Sequence, residues 1–568
     1  MDFKKLITAG IVSALGTAFG ETSVTEETVF GALELPPDSA MGDYAFPCFK
    51  FAKVLHKAPP MIADTLAAAI EGFPGRIESV KGYLNFYIDR ALYAGEVVKE
   101  VLRAGDRYGG SEEGRGKTVC LDYSSINIAK RFHIGHLPST VIGNALKNIY
   151  AFLGYDTVSI NHLGDWGTQF GKMIAAYKMW GDRETVEKGG VDEMVKLYVR
   201  FNTEAKTDES LNDKGRAWFK AIEDGNEEAL EIFNWFKRVT LADAEKVYEI
   251  LGVKFDSYAG ESFYNDKMEP VIEEVAEKGL LKEDQGARIV DLEEYGMPPF
   301  IMLRSDGASL YATRDLAAAK YRHDTYHFDK CLYVVAYQQD LHFKQLFKVM
   351  ELLGWDWSKG CIHVNFGMVS YEGQALSTRE GHIVYLEDLL NTSIQKSLDI
   401  INEKTPDLEN KEEIARQIGV GAVVYFMLYN NRIKDTDFSW DRALSFDGET
   451  GPYAQYTYAR SSSVLRKAGT IDAQPDYSAL SDPQAQDVVR LLEQFPALVH
   501  EAADRNEPSM ITRYTAELSK VFNRFYYDIR ILDDDAAVRK ARVELTEAAR
   551  QTLGNALGLI GVAAPERM

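Results

Sequence analysis

The sequence predicts an α/β protein in three regions: a mixed α+β start, a parallel-sheet region interrupted by a helical insertion, and an all-α end. Three observations carry this reading. Short apolar or β-branched runs at 118–123, 156–160, 330–336 and 361–366 alternate with helical patterns, as strands joined by crossover helices do. Between about 172 and 254 the pattern is helical and charged with no strand run. From about Asn410 onward nearly every segment has the helical period.

Taken in order, Phe3, Ile7, Ile11, Leu15 and Phe19 recur at helical spacing, so the opening segment reads as a packed amphipathic helix rather than a secretory signal, despite its basic start. The loop from Tyr108 to Gly116 is rich in glycine and charge and reads as a linker. A strand at 118–123 opens the second region, and Leu137, Val141, Ala145 and Ile149 mark one face of the helix that follows. The expected regions are 1–114, 115–390 with the insertion at about 172–254, and 391–568.

At 568 residues the chain exceeds one compact core, and 46% hydrophobic with 26% charged residues is globular composition. The formal charge of −22 argues against a surface coated for nucleic acid. That charge is unevenly spread: roughly −3 on the first ~110 residues and roughly −4 from Asn410 onward, leaving roughly −15 between them. Local RNA-binding patches at the two ends therefore stay open. Cys48, Cys120, Cys331 and Cys361 form no CxxC pair, so neither a disulfide framework nor structural zinc is expected, and no bound metal is expected among the site residues. No stretch approaches the ~18 apolar residues of a membrane span, so a cytoplasmic protein is expected.

The segment from Asp122 to His136 lies between a strand and a helix, where backbone N–H groups and the helix dipole favour an anion. His133 and His136 can donate to phosphate oxygens, Gly135 lets a flat base approach the backbone, and Lys130 adds a point charge. A second constellation, Leu376-Ser377-Thr378-Arg379, follows a strand and is flanked by Gly367, Gly373 and Gly381, which suits a loop that closes on a polyphosphate. Near the end, Tyr453, Tyr456 and Tyr458 precede Arg460 at spacings suited either to core packing or to stacking unpaired bases.

Together the two constellations resemble the signature sequences of class I aminoacyl-tRNA synthetases, and the surrounding words narrow the resemblance to the arginyl-tRNA synthetases. Those words are Ser124-Ser-Ile-Asn127-Ile-Ala-Lys130, Asn161-His-Leu-Gly-Asp165-Trp-Gly167, Gly260-Glu-Ser-Phe-Tyr264, Tyr311-Ala-Thr-Arg314-Asp315, Gln339-Asp-Leu-His342, Leu376-Ser-Thr-Arg379 and Pro565-Glu-Arg-Met568. Gly42-Asp-Tyr-Ala and Gly82-Tyr83-Leu-Asn85 resemble the family's additional N-terminal domain.

The resemblance implies a Rossmann-type catalytic domain, an N-terminal tRNA-binding domain and a helical anticodon-binding domain, acting as a monomer. It implies ATP with Mg²⁺, L-arginine and tRNA(Arg) as substrates. The adenylate-forming step is assigned by resemblance to Lys130, His133, His136, Ser377, Thr378 and Arg379, with Gly135 and Leu376 also at ATP. Arginine is assigned to Asp122, Ser125, Asn127, Tyr311, Asp315 and Gln339. The tRNA is assigned to Tyr453, Tyr456, Tyr527 and Met568 at the anticodon and to Tyr83 and Asn85 in the N-terminal domain. A guanidinium calls for a carboxylate that receives its fork, which is the part given to Asp315; read from the residues alone, Asp315 is as well explained as a surface partner of Arg314 or Lys320. Ala375 and Glu380 stand where the class signature has lysines, which gives Lys130 more weight and keeps a non-catalytic tRNA-binding relative, or a class I enzyme of other specificity, as the alternatives.

Overall fold

The computed structural model describes residues 3–38, 41–304, 311–375 and 383–568. Its compact units are two. One gathers Met1–Tyr108, Ser461–Phe495 and Lys520–Thr552; the other gathers Gly109–Arg460, Pro496–Ser519 and Leu553–Met568.

The first unit opens with helix α1 (Phe3–Phe19), which buries Phe3, Ile7, Ile11 and Leu15, the stripe that its period demands. Helices α2 (Glu26–Ala32), α3 (Ala52–Leu55), α4 (Pro59–Ala69) and α5 (Arg90–Ala104) accompany an antiparallel sheet of β1 (Tyr44–Pro47), β2 (Gly75–Val80) and β3 (Tyr83–Ile88), with β3 in the middle. Asp43 ties this sheet to α5: it accepts from the Ile88 N–H at 2.9 Å and pairs with Arg90 at 2.5 Å.

The second unit is built on four parallel strands, β4 (Thr118–Asp122), β5 (Asp156–Ile160), β9 (Lys330–Tyr333) and β10 (Cys361–His363), in the order β10-β9-β4-β5. The chain leaves β4 through α6 (Leu137–Phe152) to β5 on one side and later returns to β9 on the other. The crevice beyond the carboxyl end of β4 is thus a topological switch point, where open α/β sheets bind ligands. Between β5 and β9 lie α7 (Thr168–Trp180), α8 (Arg183–Glu204), α9 (Ser210–Glu223) and α10 (Glu227–Leu251), then α11 (Met268–Glu277) and α12 (Tyr311–Tyr326). Residues 172–254 hold no strand among those described, as the charged helical pattern suggests. A small antiparallel sheet of β6 (Leu281–Asp284), β7 (Ala287–Val290) and β8 (Phe300–Leu303) precedes α12 and was not anticipated. Its Val290, Phe300 and Met302 join Leu316, Leu346 and Val349 in one apolar core.

Helix α13 (Asp340–Leu352) follows β9, and α14 (Leu386–Lys404), α15 (Lys411–Tyr429) and α16 (Trp440–Ala443) follow β10. Strands β11 (Val369–Tyr371), β12 (Gln374–Ala375) and β13 (Thr436–Phe438) form a further sheet, with β11 between the other two. The C-terminal stretch is otherwise helical, with α17 (Gly451–Ala468), α18 (Pro483–Asp504), α19 (Ser509–Asp528) and α20 (Ala536–Leu559).

Candidate active site

Residues 122–136 leave the end of β4 as an irregular loop with three non-glycine residues at positive φ: Ser124 (70°), Ser125 (46°) and Ala129 (61°). Such backbone costs free energy and persists only where its surroundings over-determine it. Here they do. The Ser124 N–H donates to Ser139 Oγ at 2.9 Å, and Ser124 Oγ meets Tyr248 Oη at 2.8 Å and Thr140 Oγ1 at 2.9 Å. The Ala129 N–H donates to Thr240 Oγ1 at 3.1 Å. Thr240 and Tyr248 belong to α10, so the insertion braces this loop, a part the sequence reading did not give it.

The loop closes in a 3-10 turn, Ile134–His136, that leads directly into α6. The Gly135 N–H donates to His133 Nδ1 at 3.1 Å, which puts the proton of that neutral ring on Nε2. His136 Nδ1 lies 3.2 Å from both the N–H and the carbonyl of His133, and the two ring centroids are 4.0 Å apart. Burial, and then the neighbouring His133 ring, hold the His136 imidazole down at about 3; burial and Lys130 lower His133 as well. Both rings are therefore neutral donors at physiological pH. Lys130 and Asn127 are exposed. Asn127 sits against Gly164, where a Cβ would fall 2.4 Å from Asn127 Oδ1, and the Ile128 N–H donates to the Gly164 carbonyl at 3.1 Å. The far side of the second constellation lies here too: His133 bridges Tyr385, and the Ile134 N–H donates to the Val384 carbonyl at 2.9 Å. Leu376, Ser377, Thr378 and Arg379 themselves lie outside the described residues.

Two carboxylates shape the remainder. Asp122, 5% exposed at the end of β4, accepts from Ser125 Oγ at 2.9 Å and pairs at 2.8 Å with Arg322, which is 1% exposed. Asp315, half-buried on α12, meets His342 Nε2 at 2.7 Å and His162 Nε2 at 3.8 Å. Of the surface partners that the residues alone offer Asp315, Lys320 pairs with Asp324 at 3.3 Å and Arg314 Nε donates to Asn265 at 3.0 Å. Tyr311 begins the same helix one turn earlier; its side chain lies outside the description. Gln339 is exposed in the 3-10 turn that opens α13. Nearby, Asp165 is fully buried, pairs with Lys237 at 2.6 Å and accepts from Ser262 N–H and Oγ at 2.8 and 2.7 Å. Burial, with Asp315 and Asp165 adding to it against Arg314, pushes the Glu261 carboxyl up to about 7.

Residues 97–440 match the family described as tRNA synthetases class I (R), catalytic domain. The chain belongs to the arginyl-tRNA synthetases. Residues 5–88 match the arginyl tRNA synthetase N terminal domain and 454–568 the DALR anticodon binding domain. Among similar proteins, an arginine–tRNA ligase of Alkaliphilus metalliredigens is 50% identical over 570 residues, all of both chains. One of Clostridioides difficile is 53% identical over 548 residues, 96% of this chain and 97% of the other. In fold, this synthetase is similar to the Thermus thermophilus arginyl-tRNA synthetase, with TM-score 0.81, 24% identity and 100% of each chain covered. The Plasmodium falciparum arginyl-tRNA synthetase gives 0.79 at 22% identity, covering 100% of this chain and 99% of the other.

The sequence-predicted RNA residues of this synthetase fall in varied surroundings. Tyr456 is 39% exposed beneath Arg460, whose guanidinium lies 4.7 Å from its ring centroid, whereas Tyr453 is half-buried. Tyr527 is 69% exposed. Met568 packs on a small cluster of Ile401, Ala415 and Ile418. Tyr83 is 39% exposed, edge-on to Phe49 at 5.2 Å; Asn85, two residues along β3, is buried. Arg322, His162 and His342 were missed as site residues. The available signal was that Arg322 lies seven residues beyond Asp315, on the same face of one helix. Among the described residues no group of three His, Cys, Asp or Glu side chains is placed to hold a metal ion.

Proposed function

We propose that this synthetase is an arginine–tRNA ligase, which activates L-arginine with ATP to arginyl-adenylate and transfers arginine to the 3′-terminal adenosine of tRNA(Arg), releasing AMP and pyrophosphate. The observation that carries the reading is the match of full-length arginine–tRNA ligases at about half identity to a chain whose paired imidazoles His133 and His136 stand at the head of the helix that follows β4. The arginine carboxylate attacks the α-phosphate in line, pyrophosphate leaves, and the 2′-hydroxyl of the terminal adenosine then attacks the mixed anhydride. No side chain becomes a covalent nucleophile; catalysis rests on positioning and on donors that meet developing charge.

In this reading His133 and His136 serve the phosphates and adenine as neutral donors, and Gly135 and Leu376 lie along the nucleotide. Lys130 and Arg379 meet the transferring charge, and Ser377 and Thr378 complete that side. ATP arrives as its Mg²⁺ complex, so the metal is part of the substrate. Asp122, Ser125, Asn127 and Gln339 hold the amino-acid end, while Asp315 and Tyr311 receive the guanidinium. Tyr453, Tyr456, Tyr527 and Met568 are assigned to the anticodon arm, Tyr83 and Asn85 to the N-terminal domain's tRNA contact. The enzyme works as a monomer in the cytoplasm; no described helix is long and apolar enough to cross a membrane.

Arginine-dependent pyrophosphate exchange, measured with and without cognate tRNA, tests this. Exchange is expected only when tRNA is present. Its absence under both conditions overturns the enzyme reading, and full exchange without tRNA overturns the tRNA requirement.

A further inference from the structure

Asp315 and Arg322 lie two turns apart on α12, a separation of about 10 Å along the axis, and the imidazole of His162 occupies the gap between them. Arg322 Nη2 lies 3.4 Å from His162 Nδ1, and His162 Nε2 lies 3.8 Å from Asp315 Oδ1. A guanidinium can only donate, so Nδ1 must accept, and the neutral ring carries its proton on Nε2, facing Asp315. His342 closes the other side by donating from Nε2 to Asp315 Oδ2 at 2.7 Å. His342 thus holds Oδ2 by a hydrogen bond, while His162 faces Oδ1 from 3.8 Å, beyond hydrogen-bond reach. At the opposite end of the frame Arg322 cancels the charge of Asp122 at 2.8 Å. Along the chain Asp122–Arg322–His162–Asp315–His342, Asp122 is paired with a guanidinium and Asp315 is flanked by the two imidazoles.

We propose that His162 is a positioning residue for arginine: it couples the two carboxylates through Arg322 and fixes the orientation in which Asp315 receives the substrate's fork. The proposal rests on the assignment of arginine to Asp122 and Asp315 made above, and it adds a residue that touches neither ATP nor the reacting atoms. His162 is nearly buried, 14% exposed at the side chain, and its ring lies 5.6 Å from that of Tyr264, so a substitution must respect the packing as well.

The test uses steady-state aminoacylation by the full-length enzyme, with thermal unfolding in parallel. His162→Phe keeps the ring and loses both nitrogens; His162→Asn keeps a group able to accept from Arg322 and loses the donor to Asp315. Loss of the ring nitrogen that faces Asp315 predicts a raised arginine KM in both variants, by about tenfold in His162→Phe, which also loses the hydrogen bond to the Arg322 guanidinium, with kcat and the ATP KM within about twofold. Asp315→Asn is the reference and should raise the arginine KM further still. If Asp315→Asn raises it while His162→Asn, folded as wild type, leaves it unchanged, the positioning role is overturned. If Asp315→Asn itself leaves the arginine KM unchanged, the underlying assignment falls instead. A parallel loss of kcat, ATP affinity and melting temperature in both His162 variants also overturns the proposal, because it marks general disorder of the site.

Discussion

Gly143 leaves no room for a side chain beside the strand that carries Asp122. It lies on α6, and a Cβ there would fall 2.2 Å from Tyr123 Cγ and 2.4 Å from Tyr123 Cβ. Ordinary contact begins at 3.4 Å, so Gly143→Ala requires the two to part by about 1.2 Å. Rotation of the tyrosine cannot supply that, because its own Cβ is among the obstructing atoms. The backbone of α6 or of the residue after β4 must move instead. One carries His136 at its head, and the other follows Asp122 directly. Overpacking of this kind costs about 1–3 kcal/mol, offset in part by the ~1 kcal/mol that alanine gains over glycine in a helix. The larger effect is on rate, since about 1 Å of misplacement costs on the order of 100-fold. Tyr123→Ala added to Gly143→Ala should not restore activity, because its Cβ remains. Gly16→Ala, in the last turn of α1 with open space around it, is the stabilising control. Tyr123 is fully buried beside Phe255 at 4.7 Å and cannot retreat, so a Gly143→Ala enzyme with wild-type exchange rate and melting temperature would refute the argument.

Other consequences are as direct. Lys130→Ala should slow arginine activation by about 100-fold with little loss of stability, because the exposed side chain serves charge rather than packing; a near wild-type single-turnover rate removes it from the site. Arg322→Met should cost about 3–5 kcal/mol in urea unfolding by leaving Asp122 buried without its cation, and adding Asp122→Asn should recover much of that stability without restoring activity. Glu261 holds its proton to about 7 in the fold but releases it near 4.5 when unfolded, so stability should decline as pH rises from about 4.5 to 7 and level off above. Glu261→Gln should flatten that part of a melting-temperature profile; an unchanged slope counts against the shift.

The helix after β4 was legible because Leu137, Val141, Ala145 and Ile149 repeat at its period, and all are buried. The strand before it was legible because its residues are β-branched or apolar with no charge until Asp122. Strand β6, Leu281-Lys-Glu-Asp, lies largely exposed at a sheet edge and has no apolar alternation to read. Arg322 sits between Tyr321 and His323 on a helix that reads as polar, and nothing local marks a guanidinium that is 1% exposed. Its role comes from partners at Asp122 and His162, which only the fold brings near. Thr240 and Tyr248 were likewise hidden, since a charged amphipathic helix predicts a core face and not a brace for a distant strained loop.

Three of the four cysteines dispersed along the sequence meet in the fold. Cys120, Cys331 and Cys361 stand abreast on β4, β9 and β10, in register and buried, and burial pushes the Cys331 thiol up to about 11. Alkylating reagents attack thiolates, so these positions are shielded twice, by access and by protonation. Labelling of any of them under native conditions must wait for the parallel sheet to open. The centre of the catalytic fold thereby contains its own clock: alkylation followed over time, with and without bound substrates, reads how often the sheet opens and how far ligands slow it.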